Sequence, residues 1–431
     1  MIATGRSGRR KASRPIRLGL IGAVVLLVLA VTIAVFADSR PAAAARHGSA
    51  GDWVTSWSAS PQVATADTLA AAGFDNQTVR DIIFTSVGGD PIRLELTNVF
   101  GASPLRVGHV TVAEADSGAA VLPGTIHPVT YRGSASFQIP AGAQILSDPV
   151  AMRVSPLQDL AVSVYLPGET AAATCHADAQ QVNWVSAAGD HADDSDAGAF
   201  TTPTLSWYYV SALFVQAPGA DGTVVALGDS ITDGVGSTTG ANARWPNDLA
   251  RRLDALGSPM LSVADEGIGG NRVLIGARCC GASAEARFGR DALDQPGVRD
   301  VIVLEGINDI GFSAAALDGG VSAAQIIAGY QQLIVQAHAR GLRIFGATLL
   351  PFQGAGYYTA AGEATREAVN TWIRTSRAFD GVIDFDAVMR DPAHPLMLNP
   401  AYNSGDHLHP NDAGYQAMAD AINLQMLLPG S

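Results

Sequence analysis

Thr223-Val224-Val225-Ala226-Leu227-Gly228-Asp229-Ser230-Ile231-Thr232 is the stretch on which the fold turns. An uncharged run of β-formers stops abruptly at Gly228 and Asp229, and a serine hydroxyl stands on the break. Such a run reads as a buried strand that ends at a surface site. Parallel α/β sheets place their chemistry at the carboxyl ends of their strands. A serine there can be a nucleophile when a base and an oxyanion site converge on it. By itself it more often caps a helix or fills a turn. The remainder of the chain decides between the two.

Downstream of this stretch, strands alternate with helices. Strands are expected at 223–227, 260–263, 301–304, 343–347 and 382–385, and helices at 244–256, 284–294, 323–340, 361–374 and 412–428. Alternation of this kind implies right-handed crossovers and a parallel sheet covered on both faces. The strands are continuous apolar runs, as double burial requires. Upstream, residues 51–215 look all-β. Short alternating runs at 53–58, 79–86, 92–98, 107–113, 160–165 and 208–215 are punctuated by turns such as Gly88-Gly89-Asp90-Pro91. They predict a sandwich or jelly roll without a long amphipathic helix. Ala217-Pro218-Gly219-Ala220-Asp221-Gly222 reads as the linker between a β domain over 51–217 and an α/β domain over 221–431. The acidic stretch at 187–204, with Asp190, Asp193, Asp194 and Asp196, reads as a solvated loop; it lacks the ligand spacing of a calcium loop.

Charge is distributed unevenly. The net charge of the 431 residues is −13, yet residues 1–45 hold seven of the 27 basic residues and one of the 40 acidic ones. The rest carries 20 basic against 39 acidic residues, a net −19 that offers no footprint for nucleic acid or anionic lipid. Lys11 is the sole lysine, so Ser-Lys dyads and lysine Schiff bases are excluded beyond it. The basic start (Arg6, Arg9, Arg10, Lys11, Arg14, Arg17), the uncharged stretch 18–37 and the small residues up to Ala45 form an export pattern. It predicts a signal peptide cut near Ala45 or, alternatively, a membrane anchor with its basic end inside. Either places the remainder outside the cell, with the N-terminal segment engaging export machinery or membrane. Cys175, Cys279 and Cys280 are an odd set, which leaves open a bond from Cys175 to either neighbour or a vicinal Cys279–Cys280 bond. Adjacent cysteines are poor metal spacing.

Four segments at the expected strand ends carry polar residues in an otherwise apolar pattern: Ser230, Glu266-Gly267-Ile268-Gly269-Gly270-Asn271, Glu305-Gly306-Ile307-Asn308-Asp309 and Asp406-His407-Leu408-His409-Pro410. Jointly they supply what acyl transfer needs. A serine hydroxyl requires a base within hydrogen-bond reach. His409 can provide it, with Asp406 three residues earlier fixing the tautomer and stabilising the imidazolium. The backbone N–H groups of Ser230 and Gly270 and the Asn308 amide are candidate oxyanion donors. His407 is the rival base, and an Asp406-His407-His409 metal site is the rival reading.

These four blocks, in this order, resemble the SGNH or GDSL-type hydrolase family, with Ser230, Gly270, Asn308 and His409 on its four signature letters. The resemblance spans residues 223–428. It implies a flavodoxin-like three-layer α/β/α domain, hydrolysis of carboxylic esters, a Ser230–His409–Asp406 triad, and neither cofactor nor metal. The Gly-x-Ser-x-Gly elbow of α/β-hydrolases is absent from the sequence. The segments Trp53 to Pro61 and Arg93 to Gly101 resemble a secreted two-domain subgroup, similar to arylesterase/acylhydrolase proteins associated with xylan degradation. Acylated polysaccharide is therefore the first expected substrate, and lipid or lysophospholipid esters the second. The aromatic loop carrying Tyr357 and Tyr358 is expected to line the site. Trp53, Trp57, Trp184 and Trp207 leave open a wall- or polysaccharide-binding module, although tryptophans of a sandwich more often pack its core.

Overall fold

The computed structural model describes residues 53–258, 260–313 and 320–428. The basic start, the apolar stretch 18–37 and the cleavage position near Ala45 lie outside them. Among the described residues no helix is long and apolar enough to cross a membrane.

The C-terminal half is built on five parallel strands: β1 (Ala220–Gly228), β2 (Met260–Gly267), β3 (Val298–Leu304), β4 (Arg343–Ala347) and β5 (Gly381–Ile383). Their order is β2-β1-β3-β4-β5, the flavodoxin-like arrangement. The crossover from β1 to β2 runs one way along the sheet, and those from β3 to β4 to β5 run the other. With right-handed connections these place helices on opposite faces. Accordingly α2 (Trp245–Asp254) packs with α8 (Asp412–Ala421), while α5 (Ala323–Ala339) packs with α6 (Ala360–Thr375). The shorter helices are α1 (Ser230–Asp233), α3 (Ala284–Phe288), α4 (Ile307–Ser313) and α7 (Phe385–Met389). Val224, Val225, Ala226 and Leu227 of β1 are fully buried between these layers, as the apolar run requires.

Two expected helices are shorter than the sequence suggested. The segment 284–294 is α-helical to Phe288 and then widens into a π turn, Gly289–Leu293. The segment 412–428 stops at Ala421, and Asn423 caps a separate 3₁₀ turn, Leu424–Leu427.

The N-terminal half is antiparallel throughout. Trp53–Ser58, Val210–Gln216, Ile92–Thr97 and Gln144–Leu146 form one sheet. Gln77–Phe84, flanked by Asn183–Ala188 and Asp159–Leu166, centres another. Leu94, Leu96, Leu213 and Val215 of the first sheet share one apolar core with Val79, Ile83, Leu160 and Val162 of the second, a sandwich.

The expected linker proves to be a tight turn. Only Ala217–Gly219 separates the last sandwich strand from β1, because Ala220 and Gly222 already pair with Met260 and Leu261. Glycine and proline marked a chain reversal between packed layers. Buried bonds cross that junction: Thr55 N–H to Thr223 Oγ1 (3.2 Å), Val263 N–H to Ser86 Oγ (3.0 Å) and Ser60 Oγ to Glu266 Oε2 (2.5 Å). The described residues form one compact unit.

Candidate active site

β1 delivers Ser230. At its end Asp229 caps α1, its Oδ1 accepting the Ile231 N–H at 2.9 Å, and Gly234 ends the helix in the left-handed region at φ +94°. The turn lies tight against β2: a Cβ on Gly267 would meet the Asp233 backbone nitrogen at 2.2 Å. Ser230, only 6% exposed, opens the helix, where an N–H has no intrahelical acceptor.

The loop before α8 delivers His409, the candidate base. Asp406 Oδ1 accepts the N–H groups of Leu408 (2.9 Å) and His409 (2.8 Å), folding the three-residue spacing into one turn. Asp406 Oδ2 then lies 2.5 Å from His409 Nδ1, and His409 Nε2 lies 2.8 Å from Ser230 Oγ. With Nδ1–H donated to the carboxylate, Nε2 is free to accept the serine proton. Burial pushes the Asp406 carboxyl upward, but the His409 N–H, the His409 ring and the Leu408 N–H outweigh it and hold the group below its usual range.

The other two segments meet each other past the ends of β2 and β3, the strands that flank β1. Gly270 has φ +73°, and a Cβ there would lie 2.8 Å from Cys280 Sγ. Asn308, in the first turn of α4, donates one amide hydrogen to the Asn271 carbonyl at 3.0 Å. The Asn271 carbonyl can only accept, which fixes that end of the amide as nitrogen, and Tyr357 Oη donates to the other end, Asn308 Oδ1, at 3.3 Å. Asp309 accepts the N–H groups of Val273 (2.7 Å) and Leu274 (3.2 Å), tying the segment after Gly270 to the end of β3. Burial drives its carboxyl up to about 6.

All four expected segments thus converge at the carboxyl end of β1, next to the switch point of the strand order. His407 is turned aside: its Nδ1 faces Asn403 Nδ2 at 3.1 Å and its N–H meets Asn403 Oδ1. Tyr357 reaches the site through Asn308, whereas the Tyr358 ring packs edge-on against Phe352 at 5.1 Å. Trp57 and Trp207 are sandwich core, in an edge contact at 5.1 Å. Cys279 and Cys280 are bonded to each other, and Cys175 is a buried free thiol. In the acidic loop, Asp190 and Asp194 face His109 (3.1 Å) and His191 (2.8 Å). Among the described residues no group of three or more His, Cys, Asp or Glu could hold a metal ion.

Sequence reasoning did not find the groups beneath the site. Arg287, fully buried in α3, donates to the carbonyls of Gly228 (2.9 Å) and Glu266 (2.7 Å), to Asn271 Oδ1 (3.0 Å) and to Ser60 Oγ (2.9 Å). It binds the ends of β1 and β2 and the segment carrying Asn271 into one body. Around it are buried carboxyls. Burial pushes Asp229 up to about 7, and raises Glu266 and Glu305 well above the usual range. His176 of the sandwich touches Asp233, three residues after Ser230. An arginine in an expected helix and a histidine outside every expected strand carry no mark of these partners in one sequence.

Residues 226–417 match the GDSL-like lipase/acylhydrolase family. No curated protein matches the chain. Similar solved structures include an acetyl xylan esterase from Geobacillus stearothermophilus (20% identity, 48% of this chain and 95% of that one, TM-score 0.39). A GDSL-like lipase from Bacteroides thetaiotaomicron is also similar (19% identity, 48% of this chain and 88% of that one, TM-score 0.36). The family match lies over the strand ends that hold Ser230, Gly270, Asn308 and His409, and this chain is a carboxylic ester hydrolase whose residues 226–417 are similar to the GDSL-like lipase/acylhydrolase family.

Proposed function

We propose that this chain is an exported serine esterase that removes short acyl groups, acetyl first among them, from polysaccharide. The single observation that carries the catalytic part is the Asp406–His409–Ser230 relay, with spacings of 2.5 and 2.8 Å. His409 Nε2 takes the Ser230 proton as Oγ attacks the ester carbonyl, and the carbonyl oxygen becomes the oxyanion. The N–H groups of Ser230 and Gly270 and the second amide hydrogen of Asn308 stabilise that charge. His409 returns the proton to the departing alcohol. Water, deprotonated by His409, attacks the acyl-serine, and collapse frees the acid and Ser230.

Two features favour a neutral, hydroxyl-rich substrate. The net charge of −13 gives no attraction toward an anionic lipid surface. The export pattern of residues 1–45 and the two-domain resemblance point to a polymer outside the cell. Ser230→Ala is expected to abolish turnover of p-nitrophenyl acetate while leaving the thermal unfolding temperature unchanged. Full turnover in that variant overturns the assignment of Ser230. A series of p-nitrophenyl esters from acetyl to decanoyl, run beside acetylated xylan, tests the substrate: kcat/KM is expected to fall with chain length, and a maximum at long chains favours a lipase instead.

A further inference from the structure

His176 belongs to the strand Thr174–His176 of the N-terminal half, yet it lies under the reaction centre. Its Nε2 is 3.0 Å from Asp233 Oδ1, and its Nδ1 is 2.9 Å from the Ser60 carbonyl oxygen. Both partners are acceptors, so both ring nitrogens must donate, which only the imidazolium can do. Asp233 uses its other oxygen, Oδ2, to accept the Gly269 N–H at 3.1 Å. One carboxylate therefore ties the helix that starts at Ser230 to the residue preceding Gly270. The pair is almost fully buried, with side chains 3% and 4% exposed, so solvent does little to weaken it. Asp178 and Asp265 also face the ring electrostatically, Arg244 stands beside both of them, and the Trp207 ring lies 5.4 Å away.

We infer that His176 is a positioning residue for ester hydrolysis, holding Asp233 so that Gly270 stays aimed at the oxyanion formed on Ser230. The inference rests on the reading of Ser230 and Gly270 given above. It gives the sandwich a part in the reaction, since neither His176 nor Ser60 belongs to the α/β half. His176 touches no reacting atom. Without it, Asp233 is a buried carboxylate that keeps one N–H partner and loses its charged hydrogen-bond partner, and the Gly269-Gly270 backbone loses the anchor that sets its direction. The oxyanion exists only along the reaction path, so the loss falls on kcat and not on substrate binding.

The test compares full-length wild type, His176→Ala and His176→Gln, whose amide can still donate to Asp233. Asp233→Asn serves as the fourth chain should His176→Ala not fold. In the ligand-free proteins, amide hydrogen exchange is expected to quicken in peptides containing Gly269 and Gly270 and to stay unchanged over 224–227. With p-nitrophenyl acetate, kcat is expected to fall about ten- to a hundredfold, less than outright loss of one donor would cost. KM is expected to move by no more than about threefold. His176→Gln is expected to recover part of both effects. Unchanged exchange at Gly269-Gly270 overturns the inference whatever the chain hydrolyses. Altered exchange with wild-type kcat, or a loss residing in KM alone, overturns it too. Failure of the esterase reading shows itself elsewhere, as full turnover in Ser230→Ala, and leaves the exchange result to be read by itself.

Discussion

In the proposed mechanism Asn308 carries two jobs on one amide, one hydrogen held by the Asn271 carbonyl and the other given to the oxyanion. Asn308→Ala is expected to lower kcat about 10²–10³-fold with little change in KM, the usual cost of one oxyanion donor. Tyr357→Phe removes only the hydroxyl that orients the amide, a single hydrogen bond, and is expected to cost tenfold or less, roughly 1 kcal/mol. Steady-state kinetics on p-nitrophenyl acetate separates the two, and equal losses would show that Tyr357 acts on substrate directly. His409→Ala is expected to remove turnover while His407→Ala, whose ring is occupied with Asn403, keeps it. The reverse pattern would transfer the role of base to His407. Burial drives the Cys175 thiol up to about 12, so it is almost entirely protonated near neutrality. Native protein treated with iodoacetamide is expected to show no adduct at Cys175 by mass spectrometry, and unfolded protein one.

The elements show why part of this site could be read in the sequence and part could not. Strand ends, their glycines and the Asp406-x-x-His409 spacing are local patterns, and β1 with its polar break is legible because burial on both faces demands an unbroken apolar run. Arg287 is different. Its place in α3 is local, but its partners sit at the ends of β1 and β2 and in the sandwich, and nothing near it in sequence announces them. The same holds for the linker: its composition marks a reversal, but not whether the flanking layers touch. Arg287→Met keeps the volume and removes every donor. The Gly228 and Glu266 carbonyls, Asn271 and the raised carboxyls beneath them would lose their shared partner. Breaking a buried ionic network by one member typically costs about 3–5 kcal/mol. The expected outcome is a clearly lowered midpoint in urea with an unchanged slope. An unchanged midpoint would mean that the ends of β1 and β2 are held by packing alone.

At the scale of the whole molecule, stability is tied to pH through groups at the junction of sandwich and α/β half. Burial alone would lower the His176 imidazolium; the Asp233 charge, its hydrogen bond and the Ser60 carbonyl overcome this and raise the group from 6.5 to about 9. Folded protein then holds a proton that unfolded chain has released. The contribution is fully present below about pH 6.5 and is lost as pH rises through 9. Asp229 and Asp265, raised by burial from 3.8 to about 7, act in the same sense, their contribution falling between those two values. Asp406 and Asp384, held low, act oppositely: their contribution is present above about pH 4 and is lost as pH falls further. The protein is therefore expected to be most stable at about pH 4, with the melting temperature descending as pH rises through the range in which Asp229, Asp265 and then His176 titrate. Each coupled proton contributes at most about 1.4 kcal/mol per pH unit. His176→Gln has no proton to lose between pH 6.5 and 9, so its calorimetric melting curve is expected to be flatter over that interval than that of wild type. The comparison isolates the junction, because the buried carboxyls of the α/β half remain in both chains. Parallel slopes from pH 6.5 to 9 would place the proton somewhere other than His176 and detach the sandwich from the pH response.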